Sequence, residues 1–89
     1  MFIKSMLSRS NNSVPNQFTI EINGITYFQS YKTIIAKWSG TKIILDAQKW
    51  DYSRTTLKYL CQFLGVKSKK EIEQNIKTGN YKLGKLNQY

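Results

Sequence analysis

Asn23-Gly24, set between two alternating apolar–polar runs, constrains this chain more than any other feature. A two-residue type I′ turn needs positive φ at both central positions, which Asn and Gly tolerate best. On its N-terminal side Phe18, Ile20 and Ile22 alternate with Thr19 and Glu21, the period of a half-buried strand. Ile25–Phe28 reads as the returning strand, so a hairpin is expected here. Gln29-Ser30 then interrupts the pattern before an extended, β-branched run over Tyr31–Trp38. Either one long strand carries a bulge there or two short strands meet at a turn. Ser39-Gly40 supplies the next tight turn. Thr41–Asp46 follows as a strand with Ile43 and Leu45 on one face and Ile44 on the other. These turns predict an antiparallel meander of three or four strands.

The period changes after Trp50. Asp51 or Ser53 is a competent N-cap, and Leu57, Leu60, Cys61 and Leu64 follow i, i+3, i+4, i+7, one apolar stripe on a helix. Gly65 stands where a C-cap glycine belongs. Ser68-Lys69-Lys70-Glu71 has the form of a capping box and starts a second, shorter helix with Ile72 and Ile76 inward. Lys77-Thr78-Gly79 ends it. The expected fold is therefore α+β: a three- to four-stranded antiparallel meander, one helix packed across it, and a second short C-terminal helix. Residues 1–16, which are acid-free and contain the polar run Ser8–Ser13 and the single proline Pro15, read as a flexible N-terminal arm. Residues 17–79 read as one α+β domain. Residues 80–89, with Leu83 and Leu86 as apolar anchors, read as a loose tail or a docked extended segment.

Charge decides the class of function. The chain of 89 residues carries 14 Lys+Arg against 5 Asp+Glu, a net charge of +9. The part before Tyr52 contributes +3 and the part from Tyr52 onward +6, so the surplus is concentrated C-terminally. Such an excess is an electrostatic footprint for phosphates, although it also keeps a small protein soluble. Histidine is absent, which removes the commonest general base and the commonest metal ligand. The five carboxylates, Glu21, Asp46, Asp51, Glu71 and Glu73, show no spacing that forces two of them together. Cys61 lies on the helical stripe, where a small core residue is expected rather than a nucleophile. An enzyme is not expected, nor a cofactor or metal. One cysteine excludes an intrachain disulfide and suits a reducing cytoplasm. No apolar run approaches the ~18 residues of a membrane span.

Three surfaces are candidates for binding. On the first helix Arg54, Lys58 and Gln62 fall at i, i+4, i+8 opposite the stripe, with Thr55 beside them. These side chains reach phosphates and base edges when a helix faces nucleic acid, and they equally suit an ordinary solvated face. Across the strands aromatics and cations interleave, and Tyr31, Lys32, Lys37, Trp38 and Lys42 are those expected at the surface. Aromatics on an exposed sheet stack bases while lysines hold the backbone. Phe28, Trp50 and Phe63 are expected in the core. At the second helix, Lys67, Lys69 and Lys70 oppose the helix dipole, which hints at an outside anionic partner.

Two segments, Ile25–Lys37 (ITYFQSYKTIIAK) and Trp50–Leu64 (WDYSRTTLKYLCQFL), resemble an uncharacterised family of small bacteriophage and prophage proteins. The likeness covers about Gly24–Leu64. It implies a phage accessory protein made in the cytoplasm of a bacterial host, and no particular activity. The expected function is nucleic-acid binding, of DNA or RNA, through Lys/Arg and surface aromatics. The alternative is an inhibitor of a host defence complex of the anti-CRISPR type, acting on a bacterial defence protein or a ribonucleoprotein. Homo-oligomers follow if the sheet leaves an edge unpaired. The strand–strand–strand–helix order is also similar to the DNA-binding domains of some integrases and plant transcription factors, an analogy of topology alone.

Overall fold

The Asn23-Gly24 turn forms as the dipeptide requires, with φ of 50° and 79°. It joins β2 (Ser13–Ile22) to β3 (Ile25–Ser30) in a computed structural model that describes residues 1–8 and 10–87. Arg9, Gln88 and Tyr89, which fall within the expected arm and tail, lie outside the described residues. The remaining elements are β1 (Phe2–Leu7), β4 (Thr33–Ser39), β5 (Lys42–Asp46), α1 (Arg54–Leu64), α2 (Lys69–Thr78) and β6 (Tyr81–Gly84). All six strands belong to one sheet in the order β1-β2-β3-β4-β5-β6. The first five form an antiparallel meander, and β6 pairs parallel to β5 after the crossover through both helices.

The α+β class is as expected, but the sheet is mixed and has six strands, not three or four in an antiparallel meander. Both missed strands sit at its edges. Phe2–Leu7 lies in the segment read as an arm and pairs with β2, Ile3 opposite Ile20. Tyr81–Gly84 lies in the segment read as a loose tail or a docked extended segment, and it pairs with β5. The Cα radius of gyration, 12.2 Å, matches the ~12 Å expected of a compact chain this long. β1 and β6 are therefore both part of the one sheet.

The ambiguity at Gln29-Ser30 resolves into two devices. β3 continues to Ser30, and the turn falls at Tyr31-Lys32, where Tyr31 has φ 56°. A register shift between Phe28 and Gln29 also places a bulge in the β3–β4 pairing. That extra residue lets both Ile35 and Ala36 be fully buried.

The helices cover one face only. Phe28, Ala36 and Leu45 are cross-strand partners at full burial, and Phe28 stacks on Phe63 of α1 with centroids 5.7 Å apart. Leu60, Leu64, Ile72 and Tyr81 complete this core. Truncating Leu60 or Phe28 to Ala should cost about 3 kcal/mol through lost transfer energy and the cavity left behind. On α1 the buried residues are Thr56, Tyr59, Leu60 and Leu64, while Leu57 and Cys61 are half-buried. The stripe is thus rotated toward Thr56 and Tyr59 relative to the apolar spacing. A polar contact accounts for it: the Thr56 and Ser30 hydroxyls hydrogen-bond at 2.8 Å inside the core.

Helix ends follow the sequence closely. The Ser53 side chain accepts the Thr56 N–H at 3.1 Å, and Gly65 and Gly79 adopt the left-handed conformation at the two C-termini. Ser68 occupies the N-cap position of α2, but its side chain makes no capping hydrogen bond, so the expected reciprocal box with Glu71 does not form.

Candidate nucleic-acid interface

Cross-strand register separates the sheet into two faces, because paired residues share a face and successive residues alternate. The face carrying Thr19, Phe28, Ala36 and Leu45 meets the helices. The other face carries Ile3, Phe18, Ile20, Ile22, Ile25, Tyr27, Ile34 and Ile44, with Lys37, Lys42 and Lys82 toward β4–β6. None of these residues belongs to the buried cluster. Among the described residues no carboxylate is exposed on this open face: Glu21 takes the helix-side parity, Asp46 shares the parity of Ile44 but is fully buried, and Asp51, Glu71 and Glu73 lie outside the strands. Antiparallel sheets with one open face normally turn polar residues to it, so an isoleucine-rich open face is unusual.

A second surface lies on the helical side. The C-terminal half of α1, the start of the α1–α2 connection and the β1–β2 turn enclose a groove of about 660 Å³. Lys58, Gln62 and Lys67 line it together with Ser8 and Asn11, and none of its lining residues is acidic. Gln62 is fixed there, because its amide donates to the Leu7 carbonyl at 2.8 Å. The Lys58 ammonium lies 5.4 Å from the centroid of the Tyr59 ring. Cys61 reaches the wall of the groove, and burial, then the negative charge of Glu71, push its thiol above its ordinary pKa. A thiol held protonated at neutral pH is a poor nucleophile.

The expected binding residues divide among these surfaces. Arg54, Thr55, Lys58 and Gln62 are all exposed on α1, which contains no acidic residue; Lys58 and Gln62 line the groove with Lys67, whereas Arg54 and Thr55 do not. Lys37 and Lys42 stand on the open sheet face, some distance in sequence from their companion Lys82, which a tail reading hid. Tyr31 and Lys32 are exposed at the β3–β4 turn. Trp38 is exposed but on the helix-side parity: its ring meets Phe63 edge-on at 6.0 Å, and its indole N–H donates to the Gly40 carbonyl at 2.9 Å. Lys70 is exposed, but Lys69 is engaged within the chain. It lies 3.4 Å from the Asp51 carboxylate and 5.8 Å from the centroid of the Trp50 ring. That pair offsets part of the charge placed against the α2 dipole, which removes much of the need for an outside anion there.

Sequence reasoning missed Ser8, Asn11, Phe18 and Lys82 as surface candidates. For Phe18 the alternation was visible, but it could not tell which side of the sheet the helices would take. Among the described residues no group of three or more Cys, Asp or Glu is placed to hold a metal ion, and no helix is long and apolar enough to cross a membrane.

Comparison with curated proteins and with solved structures returns no significant match. A family model does match, over residues 1–79, a span wider than Gly24–Leu64 that takes in β1, the meander and both helices and stops before β6. The chain belongs to DUF8033, a family of unknown function.

Proposed function

We propose that this protein binds nucleic acid, with the outer face of α1 and the adjoining groove as the contact surface. The observation that carries this reading is the acid-free cluster of Lys58, Gln62 and Lys67 around the groove, extended by exposed Arg54 and Thr55. Cations supply affinity for phosphates, and the Gln, Ser and Asn side chains add neutral hydrogen bonds. Binding rather than catalysis is favoured by a sequence without histidine. The similarity to small phage proteins favours a phage accessory role in a bacterial cytoplasm.

Fluorescence anisotropy with labelled single- and double-stranded oligonucleotides tests the reading. Three phosphate contacts, from Arg54, Lys58 and Lys67, should weaken binding by about 20- to 40-fold between 50 and 200 mM salt. Affinity that stays flat over that range overturns it. Arg54→Ala with Lys58→Ala should weaken binding while leaving the unfolding midpoint in place, since both side chains are exposed.

A second reading is favoured by the open sheet face. Its apolar residues beside Lys37, Lys42 and Lys82 suit an acidic protein surface, such as that of a host defence complex. A complex isolated from host cells that survives nuclease treatment and moderate salt supports this reading. Its loss on nuclease treatment returns the case to nucleic acid.

A further inference from the structure

The two edges of the sheet are protected unequally, and the unprotected one has the properties of a self-pairing strand. β1 is six residues long and has a neighbour only on its β2 side. Five of its six residues are exposed, among them Phe2, Ile3 and Leu7 at 70%, 57% and 45%. Edge strands of soluble proteins are normally short, charged, proline-bearing or covered. β1 has one charge, Lys4, and no proline. α1 reaches β1 at its C-terminal end, where the Gln62 amide donates to the Leu7 carbonyl at 2.8 Å, while the helices pack chiefly on β3 and β6.

We infer that β1 pairs antiparallel with β1 of a second copy of this chain, joining two six-stranded sheets into one about a two-fold axis at Ser5. The register follows from faces and charge. In a continuous sheet, paired residues must share a face, so the axis passes through a residue and not between two. An axis at Lys4 would set Lys4 against Lys4 of the second copy, a destabilising like-charge pair. An axis at Ser5 sets Ser5 against itself, Ile3 against Leu7 of the second copy, and Lys4 against Met6 of the second copy. The apolar side chains that β1 exposes on the open face then cover one another, and no like charges meet. A heterologous partner strand would need this same alternation, which β1 already has. The opposite edge is the better protected one: β6 is four residues long, carries Lys82 and is followed by Lys85.

Self-association and nucleic-acid binding must respond to salt with opposite signs. Each copy carries +9, so salt screens repulsion between copies and tightens the dimer, whereas it weakens binding to phosphates. The dimer does not depend on the nucleic-acid reading and is tested without nucleic acid.

Sedimentation equilibrium of the full chain should show a mass rising from 10.4 kDa toward twice that value with concentration, and rising further with salt. Ile3→Lys should hold the chain at the monomer mass, and the open-face variant Ile22→Lys should leave association intact. In a Cys61→Ala background, Ser5→Cys should give a disulfide-linked dimer under mild oxidation. Facing residues in antiparallel strands lie within reach of a disulfide, and Lys4→Cys should cross-link far less. A monomer at every concentration and salt overturns the inference. So does association abolished by Ile22→Lys and not by Ile3→Lys, or cross-linking through Lys4→Cys in preference to Ser5→Cys.

Discussion

The β6 side and the β1 side of this sheet solve the same problem in different ways. At the β6 side two polar side chains, Asp46 and Asn87, tie the chain down. The Asp46 carboxylate, fully buried at the end of β5, accepts hydrogen bonds from the backbone N–H groups of Lys49 and Leu86, at 3.0 and 2.9 Å. The Asn87 side chain then holds Ile34 from both sides, accepting its N–H at 2.9 Å and donating to its carbonyl at 2.8 Å. Asn87 thereby continues the ladder on β4 beyond the end of β5. At the β1 side the buried polar residue is Gln17 in β2. It is fully buried, and neither its amide nitrogen nor its carbonyl oxygen has a hydrogen-bond partner among the described residues. One side of the sheet uses buried polarity to fasten an edge, and the other carries it at a cost.

Mutations that break this contrast should differ in size and in sign. The largest effect is expected from Asp46→Ala, which removes the acceptor of two backbone N–H groups in a buried site. Chemical denaturation should show a loss of about 3 kcal/mol. Asn87→Ala removes both bonds to Ile34 and should cost about 1–2 kcal/mol, with hydrogen exchange at Ile34 accelerated by the same change. Gln17→Leu acts in the other direction. Relieving an unpaired buried amide should stabilise the protein by about 1 kcal/mol, and an unchanged or lowered midpoint would mean that the amide has found a partner.

Alkaline pH should produce a smaller effect on the fastened side. Burial, then the charge of Glu71, raise the pKa of Tyr81 in β6, and the same two causes raise Cys61 in α1. Both groups are acids whose protonated form is favoured by folding. Their contribution is complete below the ordinary thiol and phenol values and is lost as pH rises through the raised ones. Stability should therefore fall above about pH 9, and Tyr81→Phe should blunt the upper part of that fall. The smallest effect on stability is expected at the free edge. Ile3→Lys should shift the midpoint by no more than about 0.5 kcal/mol, since its side chain is mostly exposed, even as it removes association.

Local chemistry made the centre of the fold legible. Asn23-Gly24, Ser53, Gly65 and Gly79 each demand a particular backbone state from their own residues, and each adopts it. The edges were hidden because their signal is not local. Phe2–Leu7 has no turn dipeptide after it, and Tyr81–Gly84 is a strand only because β5 waits 35 residues earlier at Asp46. Among the candidate binding residues, the α1 face was readable from its period of 3.6. The groove was not, since Ser8 and Asn11 reach Lys58 and Lys67 through the sheet. Lys69 misled for a similar reason: its partners Asp51 and Trp50 precede the helix that separates them from it.

The parallel pairing of β5 with β6 also sets an order of events during synthesis. Ile22 and Ile25 meet across three residues, whereas Ile43 must wait for Tyr81, 38 positions later. Loop closure of that kind costs more chain entropy and is slower to reward than a hairpin. On a ribosome the whole meander and both helices emerge before β6 exists. During that interval β5 is itself an open edge, and Asp46 lacks its bond to Leu86. The nascent chain thus passes through a stage with two unguarded sides, and the arrival of β6 shuts one of them.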